Sequence, residues 1–147
     1  VLNDWLNNDT IQLCDRVDGW QQAVALSAQP LLRCGAITPD YVTAILQQYR
    51  LLGPYFVLAP GIAMPHARPE AGAKALGLSL LKIHQGVKFH SADNDPVYVV
   101  VMLAAPDSNS HIDIIAQLAE LFSNNVAMDE LFNAKDKQQI EDIISHY

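Results

Sequence analysis

The chain is poor in cysteine: of its 147 residues only Cys14 and Cys34 carry a thiol, far apart and with no C-x-x-C or metal-ligand spacing. That excludes a disulfide scaffold and a thiolate metal site, and fits two reduced, largely buried thiols in a cytoplasmic protein. Positive charge is also scarce, with 9 Lys and Arg against 16 Asp and Glu and a net charge of -7. A phosphate-backbone binder normally carries a basic surplus, so no nucleic-acid partner is expected. No apolar run approaches the roughly 18 residues of a membrane span, so no direct membrane insertion is expected. The opening "VLNDWLNNDT" is acidic and interrupted, unlike a signal peptide. Repeats, low-complexity tracts and linkers are missing too, and residues 1–147 read as one domain. What remains is half apolar and 17% charged, enough to bury a core.

Along the chain, "TIQLCD" (10–15) reads as a short strand. Asp18 is expected to cap a helix with the apolar stripe Trp20, Ala23, Val24 and Leu31, and Pro30 to kink or break it. A second helix has Thr38 as N-cap, Pro39 at its first position, a buried stripe of Val42, Ile45, Leu46 and Tyr49, and Gly53-Pro54 as its stop. From Tyr55 onward short apolar runs are split by Pro, Gly or polar turns. Of these, "ALGLSLLKI" and "PVYVVVMLAA" read as strands buried on both faces. "HQGVKFHSADNDP" reads as a surface loop with a small strand over 87–89. The helix "HIDIIAQLAELF" and amphipathic stretches over 128–132 and 140–144 follow. Helices first, strands in the middle and helices last predict an α/β sandwich, with helices on a mixed sheet.

The five histidines differ in setting. His84 and His90 fall in the polar loop, where a solvated side chain is expected, and His146 is expected to fray with the C-terminus. Ser110 and Asp113 form an S-x-x-D capping box that puts His111 in the first turn of its helix. His111 then shares a face with Ile115, Leu118 and Phe122 and points inward at a helix N-terminus, a setting an anion prefers. A core histidine bonded to a backbone carbonyl is the alternative. His66 lies in "GIAMPHARPE" (61–70), framed by Pro65 and Pro69. A neutral imidazole is a good nucleophile near pH 7, and its phosphorylated form is a reactive donor. Phosphoryl transfer asks mainly for positioning and charge stabilisation, so Arg68 is a candidate phosphate clamp and Arg50 a second one. Arg68 paired with Glu70 in solvent is the plainer reading. A metal-dependent hydrolase using His66, His111 and an acid lacks the H-E-x-x-H spacing, and no metal or cofactor is expected.

"LAPGIAMPHA" (58–67) resembles the phosphorylation-site signature of the mannitol/fructose-type IIA components of the bacterial sugar phosphotransferase system (PTS). "GPYFVLAPGIAMPHARPEAGA", "DNDPV" and "AAPDSNSHIDIIAQLAELF" are more similar to its ascorbate-type and cryptic-mannitol branch. One position departs, Leu51 standing where the pattern has a polar residue. The resemblance implies a three-layer α/β fold, a mixed sheet of about five strands flanked by helices on both sides. It also implies a cycle: phospho-HPr phosphorylates His66 as a tele-phosphohistidine, and His66 passes the group to a cysteine of a IIB component serving the membrane IIC. His111 matches the second active-site histidine that holds the phosphate. The chain length suits a free-standing IIA, with HPr and IIB sharing one surface around His66 and an apolar rim using Phe56 and Met64. A phosphorylation-dependent regulatory module that binds a regulator is the second reading. The sequence does not fix the sugar.

Overall fold

The computed structural model describes residues 2–107, 109 and 111–147. A 3-10 turn (Leu2–Asp4) precedes β1 (Ile11–Cys14), α1 (Trp20–Arg33), α2 (Pro39–Leu52), β2 (Val57–Ala59) and β3 (Ile62–Ala63). After a second 3-10 turn (Pro69–Ala71) come β4 (Gly77–Val87), β5 (Val97–Ala104), α3 (Ile112–Ser123), α4 (Asn125–Phe132) and α5 (Lys137–Ile144). The strands form a mixed sheet ordered β1-β4-β5-β3-β2, as the resemblance implied. β1 runs parallel to β4 and β3 parallel to β5, while β4 and β5 pair antiparallel.

The apolar runs of β4 and β5 occupy the sheet interior because both faces are covered. Leu81, Ile83, Val100 and Met102 point to one core with Trp20, Val24, Tyr41 and Ile45 of α1 and α2. Leu78, Leu80, Val101 and Leu103 point to the other, with Ile114, Leu118, Leu131 and Ile140 of α3 to α5. Period-2 alternation thus feeds two helical layers from one pair of strands.

Several local expectations change. α1 runs through Pro30 from Trp20 to Arg33. Proline cannot donate to the carbonyl of Leu26, and the Gln12 side-chain amide does so instead at 2.7 Å, which removes the main cost of the missing bond. Gly19, not Asp18, is the N-cap, and the Asp18 N–H donates to the Gln22 side chain at 2.6 Å. In α2 the buried stripe is Tyr41, Ile45 and Tyr49, with Val42 and Leu46 at its margins. Tyrosine displaces the aliphatics because its hydroxyl finds partners inside. β4 continues to Val87, so the 87–89 strand is the end of β4, and His84 is an exposed strand residue rather than a loop residue. Cys34 is exposed and Cys14 half-buried, against the expected burial. The C-terminal segment is tied, since the Leu2 N–H donates to the Tyr147 carbonyl at 3.3 Å and Asn124 Nδ2 to the Tyr147 hydroxyl at 2.9 Å. His146 therefore sits on an anchored turn. The β2–β3 turn needs Gly61, which has φ 81 and whose Cβ, if present, would lie 2.9 Å from the Phe132 ring. Among the described residues no helix is long and apolar enough to cross a membrane.

Candidate active site

β3 ends at Ala63, and the chain continues through Met64 and Pro65 to His66. Each of these residues is fixed by a different neighbour. The Met64 N–H donates to the Phe56 carbonyl at 2.8 Å, and the Leu103 N–H of β5 donates to the Pro65 carbonyl at 3.3 Å. The Tyr55 hydroxyl donates to the His66 carbonyl at 2.5 Å. The Ala67 N–H donates to the Tyr41 hydroxyl at 3.0 Å, and that hydroxyl directs its own proton to the Leu103 carbonyl at 2.8 Å. A loop that carries no regular hydrogen-bond ladder thereby acquires the rigidity of an element.

The ring is fixed as well. His66 Nδ1 lies 2.8 Å from the Met64 carbonyl, which can only accept, so Nδ1 carries the proton. In the neutral imidazole Nε2 then keeps its lone pair. The half-buried ring meets Tyr55 edge-on, with centroids 5.5 Å apart and an interplanar angle of 75°. Both phenols remain donors at neutral pH: burial raises the Tyr41 pKa, and burial with Tyr41 as neighbour pushes that of Tyr55 up to about 12. Sequence reasoning missed these two tyrosines. Their targets are backbone atoms distant in sequence, so no motif records them.

His111 stands at the N-cap of α3 rather than in its first turn, and its carbonyl accepts the Ile115 N–H at 2.9 Å. Ser110 lies outside the described residues, and with it the Ser110–Asp113 capping box. The inward face of α3 is Ile114, Leu118 and Leu121, while Ile115 is exposed and Phe122 half-buried. His111 remains on that inward face, three residues before Ile114. Its Nδ1 is buried and has no hydrogen-bond partner among the described residues. The carbonyl-bonded core histidine is therefore absent there, and an orphaned buried nitrogen calls for a partner that arrives later. β3 and β5 are parallel neighbours, so their carboxyl ends, followed by Met64, Pro65 and His66 and by Ala105, lie at one edge of the sheet. Ligands of open α/β sheets gather at such an edge.

Arg68 is exposed and precedes the 3-10 turn Pro69–Ala71; Arg50 is exposed in the last turn of α2. Neither pairs with a carboxylate among the described residues, so the Arg68–Glu70 pair is not formed. Phe56 is fully buried against Tyr49 and Phe89, which removes it from any contact rim, while Met64 is half-buried. Leu51 and Leu52, before the Tyr55 loop, are 82% and 65% exposed, and Ile112, after His111, is 59% exposed. Among the described residues, hollows of about 470 to 760 Å³ include neither His66 nor His111 in their lining.

Residues 4–147 match the family model of the phosphoenolpyruvate-dependent sugar phosphotransferase system, EIIA 2. The chain belongs to this EIIA family. An ascorbate-specific PTS system EIIA component of Shigella flexneri is 39% identical over 145 residues, 97% of this chain and 94% of that one. The solution structure of the mannitol-specific cryptic phosphotransferase enzyme IIA CmtB of Escherichia coli superposes with a TM-score of 0.91 at 38% identity, covering 99% of each chain. The complex of enzyme IIAMTL and phosphorylated enzyme IIBMTL of Escherichia coli aligns with a TM-score of 0.82 at 22% identity over 96% of this chain and 97% of that one, which speaks for the fold. This EIIA is a component of a sugar phosphotransferase system.

Proposed function

We propose that this EIIA, acting as one domain over residues 1–147, carries the phosphoryl group on Nε2 of His66. It receives the group from phospho-HPr and delivers it to a cysteine of a IIB component that serves a membrane IIC, in an ascorbate- or mannitol-type system. The observation that carries the reading is the Nδ1–H to Met64 carbonyl bond, which leaves Nε2 as the free nucleophilic nitrogen. In the first step the Nε2 lone pair attacks phosphorus, and the donor imidazole departs with the electrons of the broken N–P bond. In the second a cysteine thiolate attacks, Nε2 leaves with its pair, and His66 returns to its neutral tautomer. Met64 keeps the Nδ1 proton in place throughout, and the pinned backbone of residues 64–67 keeps the ring in line. His111 is taken as the second site residue, and its buried Nδ1, without a partner among the described residues, supports a role in stabilising the phosphate. Arg68, exposed and free of a carboxylate, is the candidate clamp, with Arg50 the alternative. The relatives named for ascorbate and mannitol support the substrate branch, and the neighbour solved with phosphorylated IIB supports a IIB partner. The exposed Leu51, Leu52 and Ile112 supply an apolar rim for a brief transfer complex, in place of Phe56.

The test is incubation with phospho-HPr. One acid-labile phosphate per chain is expected, with none on a folded His66→Ala variant; substantial labelling of that variant refutes the assignment. His111→Ala is expected to retain the acceptor and slow onward transfer by about 100-fold. Unchanged rates in both half-reactions would make His111 a packing residue only.

A further inference from the structure

Lys82 has no role in the phosphoryl relay, yet it occupies an unusual place. It lies within β4, opposite Leu13 of β1 and Val99 of β5, and is 1% exposed. Its Nζ donates to the Ala134 carbonyl at 3.2 Å, its one hydrogen bond among the described residues. An ammonium has three N–H donors, so two are left over, and no carboxylate pairs with it among the described residues. Burial accordingly pushes its pKa down, the mark of a charge short of a counter-ion. Holding the Ala134 carbonyl is a weak reason to bury a charge, because desolvation of an unpaired ammonium costs more than one such bond returns.

The side chain lines a hollow of about 470 Å³ under the connection between α4 and α5. Cys14, Asp15, His84 and Lys135 are the other titratable groups lining it. Asp15, its single acid, already accepts the Gln85 side-chain amide at 2.9 Å. His84 and Lys135 also line a second hollow of about 470 Å³, which they share with Asp95, so these two side chains form the wall common to both. In a chain of net charge -7 the first hollow is unusual in having two lysines, Lys82 and Lys135, against one acid. It is also remote from the transfer site: β4 runs antiparallel to β5, so the step from Lys82 to His84 leads away from the edge that carries His66.

We propose that this hollow is a binding site for a small oxyanion, a molecule bearing a phosphate or carboxylate group, with Lys82 at its floor and Lys135 and His84 at its mouth. The anion supplies the counter-charge and the acceptors that the Lys82 ammonium lacks. Lys135 is exposed and adds attraction without being buried.

The experiment is calorimetric titration of the full chain with inorganic phosphate and, separately, with malonate, which tells the two anion classes apart. His66→Ala is run alongside so that binding at the transfer site is recognised. Saturable binding of at least one probe is expected in wild type and in His66→Ala alike. It should weaken by at least about tenfold in Lys82→Met and by about threefold in Lys135→Gln, as lost charge-assisted hydrogen bonds and lost surface attraction dictate. Absence of saturable binding for both probes overturns the proposal, as does binding that survives Lys82→Met or disappears in His66→Ala. If Lys82→Met does not fold, Lys135→Gln decides: an unchanged affinity overturns the site.

Discussion

An imidazole attacks phosphorus through whichever ring nitrogen keeps its lone pair, and in the proposed relay the Met64 carbonyl makes that choice by holding the His66 Nδ1 proton. The residues proposed to carry the chemistry are local in sequence and legible there: Pro65, His66 and the stretch around them form one motif. The residues that position them are not. Tyr55 and Tyr41 act through hydroxyls on the carbonyl of His66 and the N–H of Ala67, and backbone targets leave no trace in side-chain pattern. Phe56 shows the converse, since an apolar residue beside a motif reads as surface while three-dimensional packing sets it edge-on to Phe89 in the core. Tyr55→Phe keeps the edge-on ring contact and releases the His66 carbonyl. We expect the variant to remain folded, with the rate of phosphoryl acceptance about tenfold lower and the KM for phospho-HPr little changed, because orientation rather than binding is lost. A wild-type rate would reduce Tyr55 to a packing role.

At the scale of elements, periodicity located the helices and the paired central strands, and it failed where a side chain from elsewhere repairs a local fault. Pro30 breaks helices in isolation; here Gln12, on β1, caps the Leu26 carbonyl that the proline leaves bare. That rescue crosses two elements and has no signature in a window around Pro30. Gln12→Leu is expected to lose about 1 kcal/mol in urea unfolding, the lower end of the cost of an unsatisfied acceptor because the Leu26 carbonyl is part-buried. In a Pro30→Ala background the alanine N–H can reach the same carbonyl, so the Gln12→Leu loss should shrink. Equal losses in both backgrounds would show that Gln12 acts through something other than the proline. The N-terminal shift of the α2 stripe to Tyr41 has the same origin: a hydroxyl with the Leu103 carbonyl to meet can be buried like an aliphatic.

For the molecule as a whole, three buried or half-buried phenols join the helical layer to the sheet side, Tyr41, Tyr49 and Tyr55, and all have raised pKa values. Below pH 10, the ordinary phenol value, they are neutral in both folded and unfolded chains, and their contribution is fully present. As pH rises from 10 toward about 12 the unfolded chain ionises Tyr55 while the folded one does not, so stability falls through that window. Lys82 works the other way, because its lowered pKa means that its burial penalty fades as pH rises through the lysine range. Cys14, its thiol also pushed up by burial, acts in the same direction as the phenols, and four groups against one predict net alkaline destabilisation. Phenolate absorbance should show these tyrosines ionising together with loss of helical signal; their ionisation in a chain that stays folded would contradict the burial argument.

The proposed relay requires phosphorus on one nitrogen of one histidine. The direct measurement is a long-range proton–nitrogen correlation spectrum of the protein labelled with nitrogen-15 in histidine, recorded before and after phosphorylation by phospho-HPr. His66 is expected to start as the Nδ1-protonated tautomer, Nε2 to become the phosphorylated nitrogen, and Nδ1 to keep its proton and its bond to Met64. Phosphorus on Nδ1 of His66, or on His111, would contradict the relay.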